Sequence, residues 1–93
     1  EMAKNAIAMV KDSVQSYIDQ DLELARGLDK RDDRVDDLFE IVKKDLILLI
    51  KLDSSSADDA IMILMIAKYL ERIADHAVNI GEWVDYCITG SHQ

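Results

Sequence analysis

The sequence contains no proline, three glycines and a single cysteine in 93 residues. So little proline and glycine leaves few of the residues that build tight turns and strand-rich folds. The lone Cys87 excludes an intrachain disulfide and suits a reducing compartment. It sits beside an apolar line, so an inert core thiol is expected. Basic residues are also scarce, 11 Lys and Arg against 19 Asp and Glu, which leaves a formal net charge of −8. That balance argues against nucleic acid, whose phosphates need a Lys/Arg surface, and against docking on anionic lipid. Cations and basic protein surfaces are the partners it favours. The longest apolar runs, 46–50 and 60–67, are too short to span a bilayer, and no signal peptide is visible. The expectation is a cytoplasmic chain with no direct membrane insertion. It starts at Glu1 in the middle of a helical pattern, and reads as one unit of a larger protein.

What is present is helical. Hydrophobic residues make up 49% of the chain, enough for a core without covalent staples, and Ala, Leu, Ile, Asp and Lys dominate. The first predicted helix covers 2–26, with Ala6, Val10, Val14, Tyr17, Ile18, Leu22 and Ala25 as its stripe. Gly27 can close it in the left-handed conformation, and Asp29 can cap the next. The second helix covers 30–52, with Val35, Leu38, Phe39, Val42, Leu46, Leu49 and Ile50 on one face. Asp53 to Ser56 is the one turn-like cluster, and Ser56 with Asp59 resembles a capping box. The third helix covers 57–89 and ends at Gly90. Short connections make this an all-α, antiparallel, up-down-up three-helix bundle in a single domain. At about 1.5 Å per residue the third helix is roughly 45 Å long and overhangs unless something covers its end.

The third helix carries two lines. The apolar one holds Leu70, Ile73, Ala74, Ala77, Ile80, Gly81 and Val84. The polar one holds Glu71, Asp75, Asn79 and Glu82, with His76 close by. A second acidic group, RDDRVDD over 31–37, interleaves Asp32/Asp36 with Asp33/Asp37. Residues that face each other on antiparallel helices have numbers with a constant sum, here near 109. Asp32/Asp36 and Glu71/Asp75 centre on 34 and 73, so the two pairs lie at nearly one height. At about 100° per residue, Asp32 and Asp36 fall on the flank of their helix's apolar face. Glu71, Asp75, Asn79 and Glu82 fall roughly opposite theirs. The site expected is therefore an open surface patch, and helix rotation decides whether both pairs share an ion. Crowded carboxylates repel unless protons or cations intervene, and oxygen donors suit Mg²⁺, Mn²⁺ or iron, with His76 extending that to zinc. A solvated acidic face is the alternative. Tyr17, Tyr69, Tyr86 and Trp83 are expected at interfaces or bundle edges.

Catalysis is not expected. Ala74 follows Glu71 at plus three and Asp85 follows Glu82, so the Glu-x-x-His pairs of buried di-iron bundles are missing. There is no G-x-S-x-G, H-E-x-x-H or phosphate-binding glycine loop, and the second histidine, His92, lies in the tail.

The stretch KYLERIADHAVNI with WVDYCITG downstream resembles the end-of-repeat signature of the PhoU family, bacterial and archaeal regulators of phosphate uptake. LELARGLDKRDDRVDDL resembles the start of that family's second helix. The similarity runs from about Ala3 to Gly90. The resemblance implies a three-helix repeat and non-catalytic regulation of phosphate uptake and the phosphate regulon. It implies (E/D)-x-x-x-D motifs holding iron or zinc, possibly several ions, at Asp32, Asp36, Glu71 and Asp75 with Asn79 beside them. The implied partners are the phosphate ABC transporter's ATPase and a sensor kinase. Family members usually carry two repeats in tandem, and this chain has one, most like the second. A fragment, a stand-alone repeat that dimerises, or the cytoplasmic tail of a sodium–phosphate cotransporter would each account for that, as would a structural dimerisation module whose acidic face is only solvated.

Overall fold

Apolar positions at three- and four-residue spacing build helices over most of residues 1–90, the part of the chain that this computed structural model describes. Helix α1 covers Met2–Asp19, α2 Leu22–Arg26, α3 Leu28–Leu52 and α4 Ala57–Thr89, with a 3-10 turn at Ser54–Ser56 between the last two. The described residues contain no strand. The three long helices run up, down and up, and the molecule measures 53 × 18 × 16 Å. The expected all-α three-helix bundle is the fold observed.

The boundaries differ at two junctions. The predicted 2–26 helix is interrupted at Gln20, which takes the left-handed conformation at φ 54°. Its side-chain amide donates to the Tyr17 carbonyl at 3.0 Å, and the Asp21 amide donates to the Ser16 carbonyl at 2.9 Å. These bonds close the carbonyls left open at the end of α1. Asp21 then accepts from the Leu24 amide and caps α2. Gly27, expected to be left-handed, has φ −68°, so α2 passes almost directly into α3 and Asp29 is not its cap. At the second junction Ser56 makes no capping bond through its side chain. Asp53 organises that turn by accepting from the Ser55 amide and from the hydroxyls of Ser55 and Ser56. Those three bonds hold its carboxyl below the usual range, the Ser55 hydroxyl contributing most. Gly90 ends α4 at φ 71°, as expected of a C-terminal glycine.

The core joins Met2, Ala6 and Met9 of α1 with Leu28 and Val35 of α3 and Ala67, Ala74 and Ala77 of α4. Ser13 and Ser16, also buried, donate to the Val10 and Ser13 carbonyls at 2.7 Å and so leave no hydroxyl unsatisfied. Small residues, not large ones, occupy the buried face of α4, where Ala60, Ala67, Ala74 and Gly81 recur every seventh position. Ile73 and Ile80, expected in that core, are 38% and 37% exposed. Val14, Tyr17, Ile18 and Leu49 are likewise exposed. The small residues let the helices approach closely. A Cβ on Gly81 would lie 2.7 Å from the Leu28 side chain and 2.8 Å from the Ala25 carbonyl oxygen. Backbone cannot yield as a side-chain tip can, so Gly81→Ala should cost about 1–3 kcal/mol in chemical denaturation.

Candidate metal centre

Alanine and glycine at the centre of α4's buried face fix how the helix is rotated, and that rotation places the acidic residues. Taking Ala74 as the reference, Glu71 stands about 60° and Asp75 about 100° round the helix axis. They therefore line the groove towards α3 instead of lying opposite the core. This corrects the open patch expected from a face centred partly on Ile73 and Ile80. On α3, buried Val35 brings its neighbours Asp32 and Asp36 half-buried to the same groove.

There the chains of carboxylates meet. Oxygens of Asp32, Asp36 and Asp75 all lie within 4.8 Å of one another. Asp32 interacts directly with Asp75, and Asp36 with Glu71. Glu71 has a side chain only 15% exposed and accepts from the Lys68 ammonium at 2.7 Å. Lys68 also lies 5.2 Å from the centre of the Phe39 ring, a cation–π contact across the same two helices. One oxygen of Asp32, Oδ1, is buried and has no hydrogen-bond partner. Burial first, then the neighbouring carboxylates Asp36 and Asp75, push the Asp32 carboxyl up to about 6. Burial first, then Glu71, push Asp36 to about 6 as well.

Other predicted positions supply no oxygen to this group. Asp33, Asp37 and Asn79 are exposed, Asp33 adding its charge to that of Asp32 and Asp36, and Asn79 lies one turn beyond Asp75. His76 is exposed about 100° further round α4 than Asp75, so it does not join the cluster. Cys87, expected in the core, is exposed. His92 lies outside the described residues.

A second acidic feature escaped the reading of the sequence. Asp85 is 3% exposed and takes a two-pronged ion pair from Arg26 at 2.9 and 3.2 Å, with the Thr89 hydroxyl donating at 3.1 Å. Arg26 leads in holding the Asp85 carboxyl below its ordinary range. Beside it, Ala25, Asp29, Val78 and Glu82 line a cavity of about 230 Å³. Asp85 stands four residues after Gly81, on the buried face of α4, and a carboxylate in that phase was the available signal that it needs a partner. Arg31 of α3 pairs similarly with Asp12 of α1 at 2.6 Å.

The donor set on the groove is entirely oxygen, with several negative charges and one orphaned buried acceptor. That is the chemistry of a hard cation site, and the residues fit one. An all-helical three-helix bundle with an acidic interhelical groove is the class of protein the fold and site define. The chain belongs to the PhoU family, and the PhoU domain matches residues 1–84. It is 36% identical over 89 residues to a phosphate-specific transport system accessory protein PhoU homologue of Clostridium acetobutylicum, covering 96% of this chain and 41% of that protein. A homologue of the same description in Thermotoga maritima is 32% identical over 92 residues, 99% of this chain and 40% of that protein. One in Methanothermobacter thermautotrophicus is 35% identical over 81 residues, 87% of this chain and 37% of that protein. The chain thus spans about two-fifths of the relatives it matches. Among the described residues no helix is long and apolar enough to cross a membrane.

Proposed function

We propose that this chain is a non-catalytic regulatory unit of phosphate uptake, and that its α3–α4 groove holds a metal cation. The relatives' description as accessory proteins of a phosphate-specific transport system supports the regulatory part. The observation that carries the metal reading is the buried, unpartnered Oδ1 of Asp32 amid three converging carboxylates. Asp32, Asp36 and Asp75 would hold the ion, with Glu71 available once Lys68 lets go. The oxygen donors favour iron, manganese or magnesium over zinc, since no histidine or cysteine stands in the group. A bound divalent cation cancels most of the repulsion among the carboxylates and leaves the groove less negative within an otherwise acidic face.

The proposed partners are the cytoplasmic ATPase of a phosphate ABC transporter and a sensor kinase, met through basic surfaces that complement the net charge of −8. Interferometry with the immobilised ATPase and the purified chain, metal-loaded and metal-stripped, tests this. The expected result is binding that weakens at least tenfold in Asp32→Ala and Asp75→Ala. Equal binding by wild type and both variants would remove the groove from the interaction.

A further inference from the structure

On the outer side of α4, next to the acidic groove, Met65, Lys68, Tyr69 and Arg72 line a cleft of about 180 Å³. Counted at about 100° per residue from Ala74, Lys68 stands about 120° round α4. That is between Glu71 and Asp75, at about 60° and 100°, and Arg72, at about 160°. Lys68 therefore belongs to both places. Its ammonium lies 2.7 Å from a Glu71 oxygen, yet its side chain is 61% exposed and also lines the cleft. Arg72, one turn on, repels it, and Arg72 makes no ion pair among the described residues. Two cations beside a phenol stand out on a chain of net charge −8. The cleft beside Asp85 is the contrast, since its cation, Arg26, is committed to Asp85, and Asp29 and Glu82 add negative charge.

We infer that the Lys68–Arg72 cleft binds a small tetrahedral oxyanion of the phosphate class, and that a cation in the α3–α4 groove opens it. The donors suit such an anion. The Arg72 guanidinium offers paired N–H groups to two oxygens, the Lys68 ammonium a compact charge, and the Tyr69 hydroxyl a further donor. In the metal-free chain Glu71 holds Lys68, and the crowded carboxylates next door repel an anion. A cation that draws Glu71 into the groove releases Lys68 towards Arg72 and removes that negative charge. The two places are close enough to feel each other. One helical turn, about 5.4 Å, separates Lys68 from Arg72, less than the screening length of about 10 Å at 0.1 M salt. With Glu71 withdrawn, the repulsion between Lys68 and Arg72 is answered by the anion instead. By linkage the anion then tightens the cation by the same factor. The gate rests on the metal reading, whereas the cleft itself does not.

Amide chemical shifts of the isotope-labelled chain test it, in a titration with inorganic phosphate with and without saturating magnesium. Magnesium alone should move the amides of Asp32 and Asp75, which reads the metal site on the same sample. Phosphate should move the amides from Met65 to Arg72, with a dissociation constant at least about fivefold lower when magnesium is present. Glu71→Gln, which releases Lys68 with no metal added, should tighten phosphate in the same direction. Arg72→Met should abolish the phosphate shifts and leave those caused by magnesium unchanged. Phosphate shifts that are absent from 65–72, that sodium chloride at equal ionic strength reproduces, or that persist in Arg72→Met overturn the inference. So does Glu71→Gln binding phosphate no more tightly than the wild type. A chain that does not respond to magnesium contradicts the metal reading and the gate with it, and the Glu71→Gln titration still decides the cleft.

Discussion

Helix α4 holds two partly buried acidic sites, and they are opposites. At Asp85 a carboxylate lies against Arg26 and Thr89, its charge is answered within the chain, and its proton affinity falls. Ten residues earlier, Asp75 faces Asp32 and Asp36, like charges converge, and the proton affinities of the α3 carboxyls rise. Both sit between helices and both involve burial. What differs is whether the counter-charge is part of the chain. The Asp85 pair is a structural clamp between α2 and α4, complete as it stands. The α3–α4 groove is completed only from outside, by protons or by a cation.

The comparison breaks most sharply on substitution. Asp85→Ala should cause the largest loss of stability among the acidic variants, because it removes the two-pronged pair that joins Arg26 of α2 to the buried face of α4, and urea denaturation will measure it. A loss no greater than that of an exposed control such as Asp33→Ala would reduce the clamp to a surface contact. Next in size is the response to metal. A cation present at a hundredfold its dissociation constant should raise the unfolding free energy by about 2.7 kcal/mol, and Asp75→Ala should abolish the rise.

The pH dependence separates the two sites by sign. Carboxyls raised to about 6 bind protons in the folded state that the unfolded chain has already released, so their contribution is full below pH 4 and is lost as the pH climbs through 6. Asp85, lowered, contributes above the ordinary carboxylate range and loses that contribution as the pH falls through its folded value. Metal-free protein should therefore melt highest near pH 4, where the groove carboxyls are protonated and Asp85 is still ionised, and lower at pH 7. Loading the groove with metal should flatten the fall between pH 5 and 7. The smallest expected effect is that of Asp32→Asn, which removes one of the repelling charges. It should stabilise the metal-free protein at pH 7 by about 1 kcal/mol or less, and the gain should vanish at pH 4.

Much of this arrangement was legible before the fold was seen, and the exceptions have physical causes. Helical spacing located the three long helices, and the constant sum for antiparallel neighbours put the Asp32/Asp36 and Glu71/Asp75 pairs at nearly one height, where the structure sets Asp32 against Asp75 and Asp36 against Glu71. Rotation was harder. Isoleucine outranks alanine on any hydrophobicity scale, so Ile73 and Ile80 drew the expected core face towards themselves. Close packing favoured Ala74, Ala77 and Gly81, and the acidic row moved from the far side of α4 to the edge of the groove. The break at Gln20 left no mark because glutamine is an ordinary helix residue and its left-handed turn rests on bonds back to α1. The Arg26–Asp85 clamp joins residues far apart in the chain, and only the phase of Asp85 on α4 hinted at it.

Elemental analysis of the purified chain after incubation with iron, manganese or zinc, followed by desalting, bears most directly on the groove as a cation site. At least one ion per chain, iron or manganese over zinc, and a loss of that ion in both Asp32→Ala and Asp75→Ala are the predicted results. A wild type that retains no metal, or variants that retain as much as the wild type, would contradict the account and leave the carboxylates answered by protons alone.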